Sequence, residues 1–406
     1  MRVCVIGSGG REHALARTLA RTAEVVVSPG NPGIPGSVPD LPDDADLYVI
    51  GPEVPLVDGL ADRLRSQGKR VFGPGADGAR LEGSKAWMKD LLAEAGVPTA
   101  RHATFTEEEP ALAFLDTMAP PYVIKTDGLA AGKGVIVTES QTEARNAIGD
   151  YLSGSAFGEA GRRLVIEEGL DGPELSVFAV CDGVRAVAMA SAQDHKRIGD
   201  GDTGPNTGGM GAYSPSVGAE FVDDVMARFV EPTLATLRAR GIDYRGVLYA
   251  GLMLTAAGPK MLEYNVRFGD PECQVVVPRI TSDLAELLAG AADGALPAAP
   301  TFADDAMVTI VCASEGYPES PRLGDPITGI AEAEAIDGVT VFCAGVGAAR
   351  DGGLVTAGGR VIDVVGRGPT VAEAQRLAYA GVERISFPGM QFRTDIAARA
   401  VSARGR

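Results

Sequence analysis

The stretch VRFGDPECQ (Val266 to Gln274) follows LEYN (Leu262 to Asn265) and gathers two hard oxygen donors and a guanidinium within a few residues. Side chains on a strand alternate between faces, so Glu263, Asn265 and Arg267 are expected to point into one space. Magnesium takes a few carboxylate or amide oxygens and completes its octahedron with phosphate and water, while arginine grips a phosphoryl or carboxylate group with a planar fork. The trio therefore suits a magnesium-bound triphosphate, with Glu263 and Asn265 as metal ligands. Taken alone, an edge strand with a solvated polar face is the plainer reading of such a pattern.

Other segments offer complementary chemistry. Lys125 to Gly134 (KTDGLAAGKG) joins two expected strands, and its small residues, with Gly132, Lys133 and Gly134, present amides that can wrap phosphate oxygens. It is not a Walker motif, because a glycine rather than Ser or Thr follows Lys133 and a strand rather than a helix comes next. In EEGLDGPE, backbone groups near Glu167, Glu168 and Leu170 can read an adenine edge, and Glu174 can accept from ribose hydroxyls. QDHKR followed by GDTGPNTGGMGAYSP concentrates loop polarity at Asp194, Lys196, Asn206, Thr207, Gly208 and Gly209. His195 is a candidate acid or base there, against the more usual buried histidine. Near the N-terminus, GSGGRE resembles a dinucleotide fingerprint but fails it: Glu12 fills the third small position, and the second strand ends in Ser28 instead of an acid. A monophosphate cradle of Gly9, Gly10 and Arg11 remains, with Asn31 and Glu53 in the corresponding turns after the next strands. The alternative is that these glycines only make tight turns.

The chain has 406 residues, 45% apolar and 22% charged, which is ordinary globular composition with room for two to four domains. A formal charge of -17 argues against binding nucleic acid by general phosphate attraction, so any phosphate site must be locally basic. Five cysteines without a CxxC pair read as reduced thiols rather than a zinc site or a disulfide framework. Neither a signal peptide nor a membrane anchor is expected, since no apolar run approaches span length, and a cytoplasmic protein is expected.

Residues 1 to about 80 alternate short apolar runs with Gly-rich turns, the pattern of an open parallel α/β layer. A helix is expected from Ser84 to Glu94, ended by Gly96-Val-Pro98. An α+β segment with antiparallel strands follows, then a long loop from Asp194 to Pro215, a helix from Ala219 to Gly241, and the strand pair Val247–Thr255 and Pro259–Asn265. A linker after Gly294 leads to a last α/β piece. The expected division is an N-terminal domain over 1–82, a central domain over 83–294 with a small lid at about 101–170, and a C-terminal domain over 295–406.

VIGSGGREHAL, GPEVPLVDGL, GSKAWMK, KTDGLAAGKGV, IEEGLDGPELS, QDHKRIGDGDTGPNTGGMGAYSP and YNVRFGDPECQ together resemble the glycinamide ribonucleotide synthetase (phosphoribosylamine–glycine ligase) family of the ATP-grasp superfamily, over nearly the whole chain. The resemblance implies an ATP-grasp fold, with ATP held between the lid and the larger domain. Lys85 and Lys125 would meet phosphates, and magnesium, replaceable by manganese, would sit on Glu263 and Asn265. Glycine would be activated as glycyl phosphate and attacked by the amine of 5-phosphoribosylamine. Arg267 and Lys196 would stabilise the acyl phosphate, Asp194 and Asp270 would orient the glycine amine, and the N-terminal turns would receive the ribose phosphate. A monomer acting on small molecules, without nucleic acid or membrane, is expected. An ATP-grasp ligase for another amine, or a non-catalytic nucleotide-binding protein on the same fold, are the competing readings. Two departures stand out: the link between PGNPGIPG and DLYVIGPE is short, so the N-terminal domain is trimmed, and Val247–Thr255 lacks the second metal carboxylate seen in many ATP-grasp relatives.

Overall fold

The computed structural model describes residues 1–129, 134–154, 162–350 and 352–403. Gly132 and Lys133, expected at the nucleotide loop, lie outside the described residues.

The N-terminal apolar runs form a four-stranded parallel sheet in which Arg2–Gly7 is flanked by Glu24–Pro29 and Leu47–Ile50, with Val71–Phe72 beyond. The strand order reverses beside Arg2–Gly7, so the turns after it and after Leu47–Ile50 open onto the crevice where such sheets bind ligands. The link over residues 30–46 contributes no strand of its own. It touches the sheet edge through a single bridge, Val27 to Ser37.

The helix Lys85–Ala95 begins and ends as its sequence indicates: Ser84 accepts a hydrogen bond from the Trp87 amide, and Gly96 closes it with φ +69°. The lid is an antiparallel sheet, His102–Phe105, Leu164–Glu168, Tyr122–Thr126 and Val135–Thr138 in spatial order. Helices Glu108–Leu115 and Gln141–Leu152 cover it, and Ile124, Leu164, Ile166, Ile148 and Leu115 form its own core. A second antiparallel sheet pairs Glu174–Asp182 with Arg245–Thr255, and the latter with Gly258–Asn265. A bulge at Leu262 shifts this register, which lets Met261 and Tyr264 both enter the core while Glu263 stays on the cleft side.

One expectation holds with a local change and one is corrected. The helix expected over Ala219–Gly241 is one continuous helical run, Ala219–Phe221, Val222–Val225, Met226–Val230 and Glu231–Ala239, whose turn widens at Met226–Val230. Pro232 supplies the reason, since it has no N–H to bond back to the preceding turn. The segment from Asp194 to Pro215 is not a loop. It folds into Gln193–Asp194, Arg197–Gly199, Thr203–Asn206 and Gly211–Ser214. Gly211–Ser214 pairs with Ala306–Ala313, which makes the segment part of a five-stranded antiparallel sheet completed by Arg360–Gly368 and Val339–Cys343. Its glycines and aspartates carry no local strand signal, because the partner strand lies about a hundred residues away. Helix Val371–Val382 packs on this sheet.

The N- and C-terminal parts are bolted together by polar contacts. The ring of His13 accepts from the Cys343 amide at 2.9 Å. The Asn31 amide donates to the carbonyls of Ser8, Cys343 and Ala344 at 2.8, 3.3 and 2.9 Å. All five cysteines are buried and unpaired. No helix among the described residues is long and apolar enough to cross a membrane.

Candidate functional site

Four lysines gather around two glutamates where the lid meets the body. Lys85 and Lys89, four apart, share one face of their helix. The Lys85 ammonium donates to the Gly128 carbonyl at 2.8 Å. Lys89 is completely buried and donates to Thr99 Oγ1 at 2.7 Å and Glu167 Oε2 at 3.1 Å. Lys125 holds the other Glu167 oxygen at 3.0 Å. Burial lowers the proton affinity of Lys85 and pulls Lys89 down to about 8. Burial alone would raise Glu167, but Lys125 and Lys89 hold it below its ordinary value. The Glu167 side chain thus belongs to the lysines, leaving only its backbone for an adenine. Glu168 is likewise engaged, by Lys260 at 2.8 Å and the Arg101 amide at 3.0 Å.

Glu263 faces these lysines across the cleft. Burial would make it more basic, yet Lys196, Lys125, Lys85 and Arg267 keep it ionised. Asn265 Oδ1 lies on the same side and accepts from Arg267 Nη2 at 3.2 Å. The strand ends at Asn265, so Arg267 reaches its neighbour from the following turn. The Arg267 fork is fixed by Glu53 at 3.2 Å on Nε and Glu82 at 2.7 Å on Nη2, while Nη1 reaches only the Phe268 carbonyl, at 3.5 Å. Despite burial, these carboxylates raise its proton affinity further. Glu82 also accepts the Val266 amide at 2.8 Å. Among the described residues no cluster of three or more His, Cys, Asp or Glu forms a self-sufficient metal site. One ionised carboxylate and one amide oxygen facing a lysine-rich cleft fit a magnesium whose remaining ligands are phosphate and water.

The Asp194 segment adds a third group. Lys196 pairs with Glu174 at 2.7 Å. Burial would strip its proton, but Glu174, Asp194 and Glu263 hold it on firmly. Asp194 is pushed up by burial, with Lys196 opposing, and its Oδ1 has no hydrogen-bond partner among the described residues. Thr207 closes the turn through its amide and hydroxyl, both donated to the Lys196 carbonyl, at 2.7 and 2.8 Å. The Gly208 amide donates to the Tyr317 hydroxyl at 2.9 Å. A Cβ at Gly209 would stand 2.5 Å from Pro271, so only glycine lets the two segments meet. Leu170 lies in the turn before Glu174–Asp182, and Asn206 ends the strand Thr203–Asn206. Burial, with Arg393 nearby, lowers His195 to about 4, and its Nε2 accepts the Ala397 amide at 3.4 Å.

The N-terminal turn is largely self-satisfied. The Glu12 carboxylate accepts the Gly9 amide at 2.7 Å and Arg11 Nε at 2.6 Å. Gly7 and Gly51 leave room for it, since a Cβ at either would fall within 2.5 Å of its atoms. Arg11 also reaches the Phe268 carbonyl at 3.2 Å. Of the residues expected in the cradle, the Gly9 amide and the side chains of Arg11, Asn31 and Glu53 make hydrogen bonds or ion pairs with protein partners. Gly10 instead admits Asp363, whose Oδ2 would lie 2.0 Å from a Cβ there. Gln274 bridges Asp270 at 2.9 Å and Asp363 at 2.8 Å, and Arg360 binds the Asp270 carboxylate at 3.1 Å and the Gly208 carbonyl at 2.7 Å. Burial and the neighbouring Asp270 push Asp363 up to about 7.

Glu82, Lys89, Arg360 and Asp363 were missed from sequence. A helical spacing from Lys85 pointed to Lys89, and an aspartate inside the apolar strand RVIDVV pointed to Asp363. Nothing local marked Glu82 or Arg360. A cavity of about 820 Å³ lined by Arg65, Arg70, Arg245 and Asp293 shares none of these residues. Its arginines are already bound to carbonyls or to Asp243 and Asp293.

Models of the phosphoribosylglycinamide synthetase N domain, ATP-grasp (A) domain and C domain match residues 1–82, 83–273 and 307–399. The chain belongs to the phosphoribosylglycinamide synthetase family. It is 49% identical to a phosphoribosylamine–glycine ligase of Xanthomonas campestris, covering 99% of this chain and 98% of that protein. That alignment runs over 426 positions against 406 residues, so this sequence carries deletions relative to its relative. It is 48% identical to the ligase of Escherichia coli O6:H1, covering 99% of each. The crystal structure of the Thermotoga maritima phosphoribosylamine–glycine ligase superposes with a TM-score of 0.86 at 36% identity, over 98% of this chain and 100% of that one. A biotin carboxylase from Campylobacter jejuni matches at TM-score 0.72 and 15% identity, over 96% of this chain and 92% of that one, which shows the ATP-grasp fold alone.

Proposed function

We propose that this protein joins glycine to 5-phosphoribosylamine at the expense of ATP, giving glycinamide ribonucleotide, ADP and phosphate in purine biosynthesis. The observation that carries this reading is the convergence of Lys85, Lys125, Lys196 and Arg267 on the single ionised carboxylate of Glu263. Such a site binds a highly charged anion and offers no nucleophile, which suits phosphoryl transfer by positioning and charge neutralisation.

ATP lies between lid and body, with backbone near Glu167, Glu168 and Leu170 against adenine, Glu174 against ribose, and Lys85, Lys125 and the 132–134 loop against phosphates. Glu263 and Asn265 would hold magnesium, or manganese in its place, which would neutralise phosphate charge when bound. A glycine carboxylate oxygen attacks the γ-phosphorus, and the bond to the ADP oxygen breaks with its electron pair leaving on ADP. The amine of phosphoribosylamine then attacks the acyl carbon, and phosphate departs with the amine's proton as the amide forms. The fork of Arg267 is held rigid by Glu53 and Glu82, so its Nη1 faces the acyl phosphate at no cost in reordering. Lys196 serves the same phosphoryl oxygens, and Asp194 and Asp270 receive the glycine ammonium. The turns at Gly9–Gly10 and Asn206–Gly209 wall the sugar phosphate, with Arg11, Asn31 and Glu53 building that wall from behind. We place the protein in the cytoplasm, in keeping with its unpaired cysteines, as a monomer that acts on small molecules alone.

The test is release of ADP and phosphate with ATP, magnesium and glycine, with and without fresh phosphoribosylamine, together with mass detection of the amide. Product that requires all four components is expected. Turnover with a different amine would move the chain to another ligase of the same fold.

A further inference from the structure

We propose that Lys89 is a positioning residue that frees Lys125 for the nucleotide by standing in as the counter-charge of Glu167. The proposal rests on the reading that Lys125 meets the phosphates of ATP.

Glu167 is only 2% exposed and is shared by two ammonium groups, Lys89 at 3.1 Å and Lys125 at 3.0 Å. A buried carboxylate that loses its last partner is strongly unfavourable, whereas one that keeps a hydrogen-bonded cation is tolerated. With Lys125 as its only partner, Glu167 would hold that lysine back and compete with every incoming phosphate. Lys89 removes the competition. It is fully buried on the helix Lys85–Ala95, and it is anchored by Thr99 Oγ1 at 2.7 Å, whose hydroxyl in turn donates to the Met261 carbonyl at 2.7 Å. Lys89 is therefore fixed to the body, while Lys125 and Glu167 sit on adjacent lid strands, Tyr122–Thr126 and Leu164–Glu168. When Lys125 turns to a phosphate, the Lys89–Glu167 pair stays whole and keeps tying the lid strand to the body helix. No covalent step is involved: one ion pair is exchanged for another at constant charge.

The test compares binding of magnesium with the non-hydrolysable analogue AMP-PNP, by titration calorimetry, among wild type, Lys125→Met, Lys89→Met, Glu167→Gln and the double variant Lys89→Met/Glu167→Gln. Lys125→Met is expected to weaken binding on the order of tenfold or more. Lys89→Met should do about the same although it touches no ligand, because Lys125 then stays on Glu167. The double variant should recover to within about threefold of wild type, since no anion is left to retain Lys125. A double variant as weak as Lys89→Met overturns the proposal and leaves Lys89 a structural residue. If Lys125→Met binds like wild type, the phosphate role of Lys125 falls and the proposal with it. If Lys89→Met does not fold, Glu167→Gln alone decides: affinity at least equal to wild type supports the exchange, and a tenfold loss overturns it.

Discussion

The two ends of the cleft carry the same sign of charge and hold it by different means. At the lid end the cations are lysines, point charges on flexible stems, two of which lose proton affinity to burial and two of which share one glutamate. At the other end they are arginines, each locked to acidic partners: Arg267 to Glu53 and Glu82, Arg11 to Glu12, Arg360 to Asp270. The lid behind the lysines has its own small core, whereas the core beneath the arginines joins Val3 and Leu15 with Val276 and Met307 from distant parts of the chain. The difference separates a set of charges that can change partners from one that cannot. In the proposed reaction phosphates would arrive and depart at the first end, and an unstable acyl phosphate would be held in one geometry at the second.

The sharpest way to break this comparison is Arg267→Lys, which keeps the charge and discards the planar fork. Turnover with saturating substrates should fall by roughly a hundredfold or more while AMP-PNP affinity moves less than about threefold. Unchanged turnover would mean that charge alone suffices there and that the two ends do not differ. Glu263→Gln tests the point where both ends meet: the magnesium concentration giving half-maximal rate should rise about tenfold with a lower kcat, and full magnesium-dependent activity in this variant would remove the metal assignment.

A pH series sharpens the lysine end. Burial and Lys125 push the Lys89 proton off, Glu167 and Glu263 hold it on, and the balance lies at about 8. Above that pH the neutral amine no longer satisfies Glu167, so AMP-PNP affinity should decline through about pH 8 in wild type and stay flat in Lys89→Met. A decline that persists in the variant would assign the titration to another group.

The smallest expected effect lies outside the cleft. His13 and His195 are both held near 4 by burial, below the unfolded value of 6.5. In both rings the folded state resists a proton that the unfolded chain accepts. The stability they contribute is complete above about pH 6.5 and is lost as pH falls toward about 4, by at most about 3 kcal/mol each. Melting temperature should fall over that window, and His13→Gln should flatten the fall; an equally steep fall in the variant would mean that carboxylates alone are responsible.

Much of this was legible in the chain. Ser84 and Gly96 marked the ends of their helix, the apolar runs of the first domain marked a parallel sheet, and the RFGDPECQ turn marked the family and the arginine at its centre. The alternation that puts Glu263 and Asn265 on one face of their strand was legible, although the bulge at Leu262, which shifts the register before them, was not. The strand character of the Asp194 segment was invisible, because its glycines carry no local preference and the sheet they join is built by Ala306–Ala313. The monophosphate cradle carries a related ambiguity: glycines and an arginine beside a helix start look the same in sequence whether their donors face a ligand or a neighbouring glutamate.

What the sequence by itself determined is the short-range part: which segments are helix or strand, where they stop, and which residues have the chemistry for phosphate, metal and acyl group. Capping and alternation act over a few residues, so they survive without a fold. Only the tertiary structure decided who partners whom. Arg267 meets a glutamate 214 positions away, Gln274 an aspartate 89 positions away, and Lys89 shares a carboxylate with a lysine on the lid. Ion pairing depends on distance and burial, and both come into existence only when the sheets have assembled around the cleft.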